Sequence, residues 1–237
     1  MSWLRWIITG VVVVVVLAVG GPFVFIHFIE GKPPAPLSLK SSASASASAS
    51  ASGSAGSQTG AAVPVAGTWT VASGSEVGYR VGEVLAGQSQ TAVGRTKSVT
   101  GHLAIAGTSV TAATFTVPMN TIKSDQSQRD VQFDGRIMDV SSYPTGTFTL
   151  TSPIQLSPLP AAGAIKTYSA TGTLTLHGHT RSVTFPLTAE RTGTAIKISG
   201  SIPVAFADWD IPNPSFSGFV TTQNHGLLEF LLAFQRS

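Results

Sequence analysis

The amino-acid sequence predicts an all-β domain, an antiparallel sandwich or barrel with one short helix, set behind an N-terminal transmembrane helix and a disordered linker. Three observations carry that expectation. An apolar run of 23 residues without a charged side chain lies near the N-terminus, and a serine- and alanine-rich stretch follows it. Beyond residue 67, apolar residues recur at every second position in short runs bounded by glycine or proline.

The apolar run extends from Ile7 to Ile29 and includes the unbroken valines 11–16. As a helix rising 1.5 Å per residue it would measure about 34 Å, enough to cross a hydrocarbon core of roughly 30 Å. Trp3 and Trp6 lie where interfacial aromatics sit, and Arg5 is on the short side. Residues 1–6 are therefore expected in the cytoplasm, 7–29 as a signal anchor, and everything beyond on the extracytoplasmic side of the cell membrane. Ala18-Val19-Gly20 has the small residues of a cleavage site, but the apolar run continues through Phe28 and Ile29, beyond an ordinary signal-peptide core. The chain has no cysteine, which excludes a disulfide framework and a lipidated cysteine anchor.

Residues 30–66 open with Pro33, Pro34 and Pro36, continue with alternating serine and alanine from Ser41 to Ser52, and then turn glycine-rich. So little apolar surface cannot offset the entropy of ordering, so a flexible tether is expected. The remaining domain, 67–237, is nearly neutral: from residue 61 onward there are 11 Lys and Arg against 10 Asp and Glu. The formal charge of +3 is thus largely a property of the N-terminal segments. Without a basic cluster the domain is not expected to bind nucleic acid.

Within the domain, Val77, Tyr79 and Val81 alternate, as do Phe115, Val117 and Met119, then Phe148 and Leu150, and then Ile202, Val204 and Phe206. Gly172–Phe185, "GTLTLHGHTRSVTF", reads as a hairpin: Leu174 and Leu176 alternate before Gly178, and Val183 and Phe185 after it. Only Ser124–Val140 breaks the period of two. There Val131, Phe133, Ile137 and Met138 fit a short helix that Ser124 could cap.

The order of "GTWTVASGSEVGYRV" (67–81), "VTGHLAI" (99–105), "QRDVQF" (128–133), "DVSSYPTGTFT" (139–149), "GTLTLHGHTRSVTF" (172–185) and "VAFADWDI" (204–211) resembles the YceI family of lipocalin-like, polyisoprenoid-binding proteins. The resemblance implies an elongated, eight-stranded antiparallel β-barrel around an apolar cavity for an isoprenoid or similar long chain. Eight strands leave an interior just wide enough for side chains or one slim ligand, which agrees. One stretch departs: "DIPNPSFSGFV" after Trp209 places Pro212 and Pro214 close together, where a ladder donor is lost.

The expected function is non-covalent sequestration or carriage of such a chain by a membrane-tethered barrel. Its contacts would come from Val77, Tyr79, Phe115, Val117, Met119, Phe133, Ile137, Phe148, Leu174, Leu176, Phe206 and Trp209. Arg129 is the residue expected to meet a phosphate head, since its fork matches phosphate geometry. The competing readings are a ligand-free envelope scaffold with a packed interior and a lipid or ester hydrolase. No Gly-x-Ser-x-Gly elbow is present, so no catalytic residue is assigned. His177 and His179 lack a third ligand at a metal spacing and are expected to be exposed turn residues. No metal or other cofactor is expected, and a homodimer is compatible with the sequence.

Overall fold

The computed structural model describes residues 33–39, 64–85, 87–215 and 220–237. The expected anchor, 7–29, and the serine- and alanine-rich stretch lie outside these residues. Among the described residues no helix is long and apolar enough to cross a membrane.

The strands are β1 (Gly67–Val71), β2 (Glu76–Leu85), β3 (Gln88–Thr96), β4 (Thr100–Ala106), β5 (Ser109–Pro118), β6 (Lys123–Ser124) and β7 (Thr145–Leu150). They continue as β8 (Ile154–Gln155), β9 (Lys166–Leu176), β10 (His179–Thr192), β11 (Ala195–Ala205), β12 (Val220–Thr222) and β13 (His225–Arg236). Every pairing is antiparallel. Eight strands close a ring in the order β1-β4-β5-β7-β9-β10-β11-β13, because β13 returns to β1 with Trp69 opposite Arg236 and Val71 opposite Phe234. The same edge of β13 serves a second partner further back, where Leu227 faces Arg80 and Leu231 faces Glu76 of β2. The β2–β3 hairpin thus extends the wall at the other end of the barrel.

Alternation sorts the side chains as expected. On β9, Ala170, Leu174 and Leu176 point inward and are buried. The outward threonines of β9 and β10 bond across the pair, Thr171 to Thr184 at 2.9 Å and Thr175 to Thr180 at 2.8 Å. Their connection is the two-residue turn His177-Gly178, with φ of 47° and 77°. Positive φ at both positions is the turn whose twist matches that of the flanking strands. His177 departs from the expectation of exposure. Its Nδ1 lies 3.1 Å from the Trp209 carbonyl oxygen and its ring 4.6 Å from that of Tyr143. His179 is exposed.

The interrupted stretch folds as helix α1 (Ser127–Gln132), continued by one π-helical turn over Phe133–Ile137. Ser124 does not occupy the cap position itself. Its hydroxyl donates to Asp130 Oδ1 at 2.7 Å, and its N–H reaches the same oxygen at 2.8 Å, tying the helix to β6. Phe133 and Met138 are buried, but Val131 is 68% exposed, because a position two residues before Phe133 falls on the opposite side of the helix.

Two apolar clusters make up the interior of the barrel. One gathers Trp69, Leu103, Ile105, Leu232 and Phe234; the other Phe133, Met138, Leu174, Leu176, Phe206 and Trp209. Phe230, Val117 and Ile198 pack against both. Gly172 makes room for this interior: a Cβ there would lie 2.4 Å from the Phe148 ring and 2.4 Å from the Thr149 carbonyl oxygen. Gly172→Ala should therefore cost about 1–3 kcal/mol, as overpacked interiors do. A chemical denaturation midpoint equal to that of the parent would refute this.

Pro33–Leu39, expected to belong to the free linker, instead lie across the outer wall. Arg80 donates to the Pro34 carbonyl at 2.7 Å, Arg95 to that of Ala35 at 2.5 Å, and the Leu39 N–H to Ser199 Oγ at 3.2 Å. Beneath them Glu229 is only 5% exposed, 2.8 Å from Arg80 and 3.4 Å from Arg95. The prolines explain how so short a segment can be held: their fixed φ and the extended bias of the residues before them reduce the entropy lost on docking.

Candidate ligand cavity

The inward faces of the strands enclose a cavity of about 690 Å³ that extends through both apolar clusters. That volume falls within the roughly 300–1,000 Å³ of small-molecule sites. Twelve of the thirteen residues expected from the sequence line it: Val77, Tyr79, Phe115, Val117, Met119, Arg129, Phe133, Ile137, Phe148, Leu174, Leu176 and Phe206. Trp209 does not. It is buried at the His177 turn, below the strand ends, with its Nε1 lacking a hydrogen-bond partner.

Sequence reasoning missed a large share of the lining. Phe185 and Leu187 of β10, Ile196, Ile198 and Ile202 of β11, and Leu228, Phe230 and Leu232 of β13 all contribute. Phe148, Phe185 and Phe230 form a chain of edge-on ring contacts, 5.4 and 5.8 Å between centroids. The alternation of Ile196 and Ile198 and of Phe185 and Leu187 was a usable signal for several of these.

The helical end of the cavity is rich in polar groups. Gln126, Gln128, Arg129, Gln132 and Arg136 line it, with Glu83 and Thr222. Arg129 is paired twice, with Glu83 at 3.1 Å and through a short contact with Asp125. Burial works against its charge, but the two carboxylates more than offset this and hold its pKa above the ordinary arginine value. Tyr79 stacks on Phe133 at 5.1 Å with 15° between the rings. Burial pushes its phenol well above the usual range, against the opposing pull of Arg129, so the ring remains neutral in the cavity wall.

At the opposite end Tyr168 lines the cavity with its hydroxyl buried and unpartnered, and burial raises its pKa. Among the described residues no group of three or more His, Asp or Glu side chains is placed to hold a metal ion.

A closed antiparallel barrel around a largely apolar cavity, with polar side chains concentrated at the helical end, is the architecture of a family of binding domains. The family model of the YceI-like domain matches residues 69–234, and the chain belongs to that family. Among solved structures it is similar to a polyisoprenoid binding domain from Saccharophagus degradans implicated in plant cell wall breakdown. That match has 16% identity and a TM-score of 0.59, and covers 71% of this chain and 98% of that one. It is also similar to BcnA of Burkholderia cenocepacia, with 19% identity, a TM-score of 0.51, and coverage of 65% of this chain and 95% of that one. At these identities the likeness is one of fold. A comparison with curated proteins gives no match.

Proposed function

We propose that the chain is a membrane-tethered extracytoplasmic carrier that sequesters a polyisoprenoid or similar long-chain amphiphile in its barrel. The observation that supports this most is the 690 Å³ cavity lined almost throughout by aliphatic and aromatic side chains. Each methylene moved there from water contributes about 0.8 kcal/mol, so a chain of several isoprene units is held without covalent chemistry. The name of the Saccharophagus degradans relative points to the same ligand class. The tether rests on the uncharged span 7–29. A fully packed scaffold is the less favoured reading, because such an interior would not leave this volume unfilled.

Native mass spectrometry of the full chain extracted from its own membrane tests the proposal. A mass excess that organic solvent removes, and that proves to be a hydrophobic molecule, is the expected result. Protease added to intact cells should cut within residues 40–63 and give a barrel-sized fragment on a denaturing gel. A chain that never carries such a mass would establish the scaffold instead.

A further inference from the structure

Arg129 is already committed to two carboxylates, which directs attention to the other guanidinium at that end of the cavity. Arg136 also lines it, and its three hydrogen bonds go to neutral oxygens: Gln132 Oε1 at 3.1 Å and the carbonyls of Asn213 at 3.3 Å and Pro214 at 3.1 Å. The nearest acidic residue along its helical turn, Asp134, is bonded to Lys123 at 3.1 Å.

The two carbonyls belong to the proline-bracketed loop that sets this chain apart from the family pattern. Asn213 holds that loop in place. Its Nδ2 donates to the Thr222 carbonyl at 3.1 Å and to Asn224 Oδ1 at 2.6 Å, and its Oδ1 accepts the Ser215 N–H at 2.8 Å. Thr222, fixed in this way, is 7% exposed and lines the same end of the cavity. Its Oγ1 is buried with no hydrogen-bond partner. A buried hydroxyl left unpaired is costly unless something else supplies the bond.

We propose that Arg136 and Thr222 form a headgroup site for an anionic amphiphile, with its chain in the barrel and its phosphate or carboxylate at the helical end. This rests on the carrier reading above. A guanidinium bonded to carbonyls gives up weaker partners for a stronger one when an anion arrives, since charge-assisted bonds are shorter and about twice as strong. The Thr222 hydroxyl donates to a second oxygen of the same group. Gln126, Gln128 and Gln132 offer amides around it without adding charge. The site thereby selects headgroup while the apolar faces select chain.

The test uses the full-length chain in phosphatidylcholine nanodiscs with radiolabelled geranylgeranyl phosphate and geranylgeraniol, and empty nanodiscs for the partition background. The parent should hold the phosphate at least about tenfold more tightly than the alcohol, the worth of one hydrogen bond to a charged group. Arg136→Gln should bring the ratio near one while the alcohol still binds, and Arg136→Lys should keep part of the preference. Thr222→Val should weaken only the phosphate, severalfold. Inorganic phosphate should not compete at concentrations where the amphiphile saturates.

An unchanged ratio in a folded Arg136→Gln chain would overturn the proposal. So would equal loss of both ligands, which would make Arg136 only a latch between helix and loop, or inorganic phosphate competing as well as the amphiphile. A parent chain that binds neither ligand would refute the carrier reading itself, a distinct result.

Discussion

Leu174→Asp should abolish retention of a hydrophobic ligand. Leu174 is 4% exposed, faces Phe148 across the β7–β9 pair, and lines the cavity. Its cross-strand neighbour on β10 is Arg181, whose Nε is already engaged by the Asp208 carbonyl, and a carboxylate at this buried position opposes both packing and an apolar guest. Because such a variant could lose its fold, Val117→Trp supplies the complementary measurement. It adds apolar bulk where Val117 lines the cavity, so circular dichroism should be unchanged while the extractable mass falls. Full retention in a folded Val117→Trp protein would mean the ligand occupies some other surface.

Glu229→Ala should lower stability by about 3 kcal/mol, the cost of leaving a partner of a largely buried ion pair without its counter-charge. Glu229 is held by Arg80 and Arg95, whose side chains are 16% and 17% exposed. In a domain of this size that corresponds to a fall of roughly 10 °C in the unfolding midpoint. Glu229→Gln, which keeps the shape and one acceptor, should fall between the two. A midpoint for Glu229→Ala within about 2 °C of the parent would show that the pair is solvated and contributes little.

What the sequence made legible was whatever repeats at short range. Strands with one wet face, such as β9 with its threonines outward and leucines inward, revealed both their conformation and their orientation. β13 did not. In "LLEFLLAF" Leu228, Phe230, Leu232 and Phe234 point inward, but Leu227, Leu231 and Ala233 occupy the outer face, so the period of two is hidden under a continuous apolar run. This strand closes the ring, and its omission left part of the lining unassigned. Arg129 was recognisable as a polar residue near the cavity from its place in the family pattern. That Glu83 and Asp125 neutralise it, while Arg136 meets only neutral oxygens, depends on side-chain placement that spacing alone does not determine. Trp209 was assigned by its aromatic character, and the turn after Phe206 directs it away from the cavity.

The docking of Pro33–Leu39 changes what the serine- and alanine-rich stretch can do. A chain fixed to the barrel at Leu39 and again at the start of β1, Gly67, closes a ring, and the 27 residues between those points are internal to it. Their number has no bearing on how far the barrel stands from whatever precedes residue 33. For the anchor proposed at residues 7–29, the standoff would be set by the few residues between Ile29 and Pro33, a span of at most about 14 Å for an extended chain. Lengthening the repeat would enlarge the ring and leave the standoff as it was. Severing it would leave two pieces of chain still joined through Arg80, Arg95 and Ser199, so under the proposed tethering a peptide clasp, rather than the length of a leash, would govern the height of the barrel.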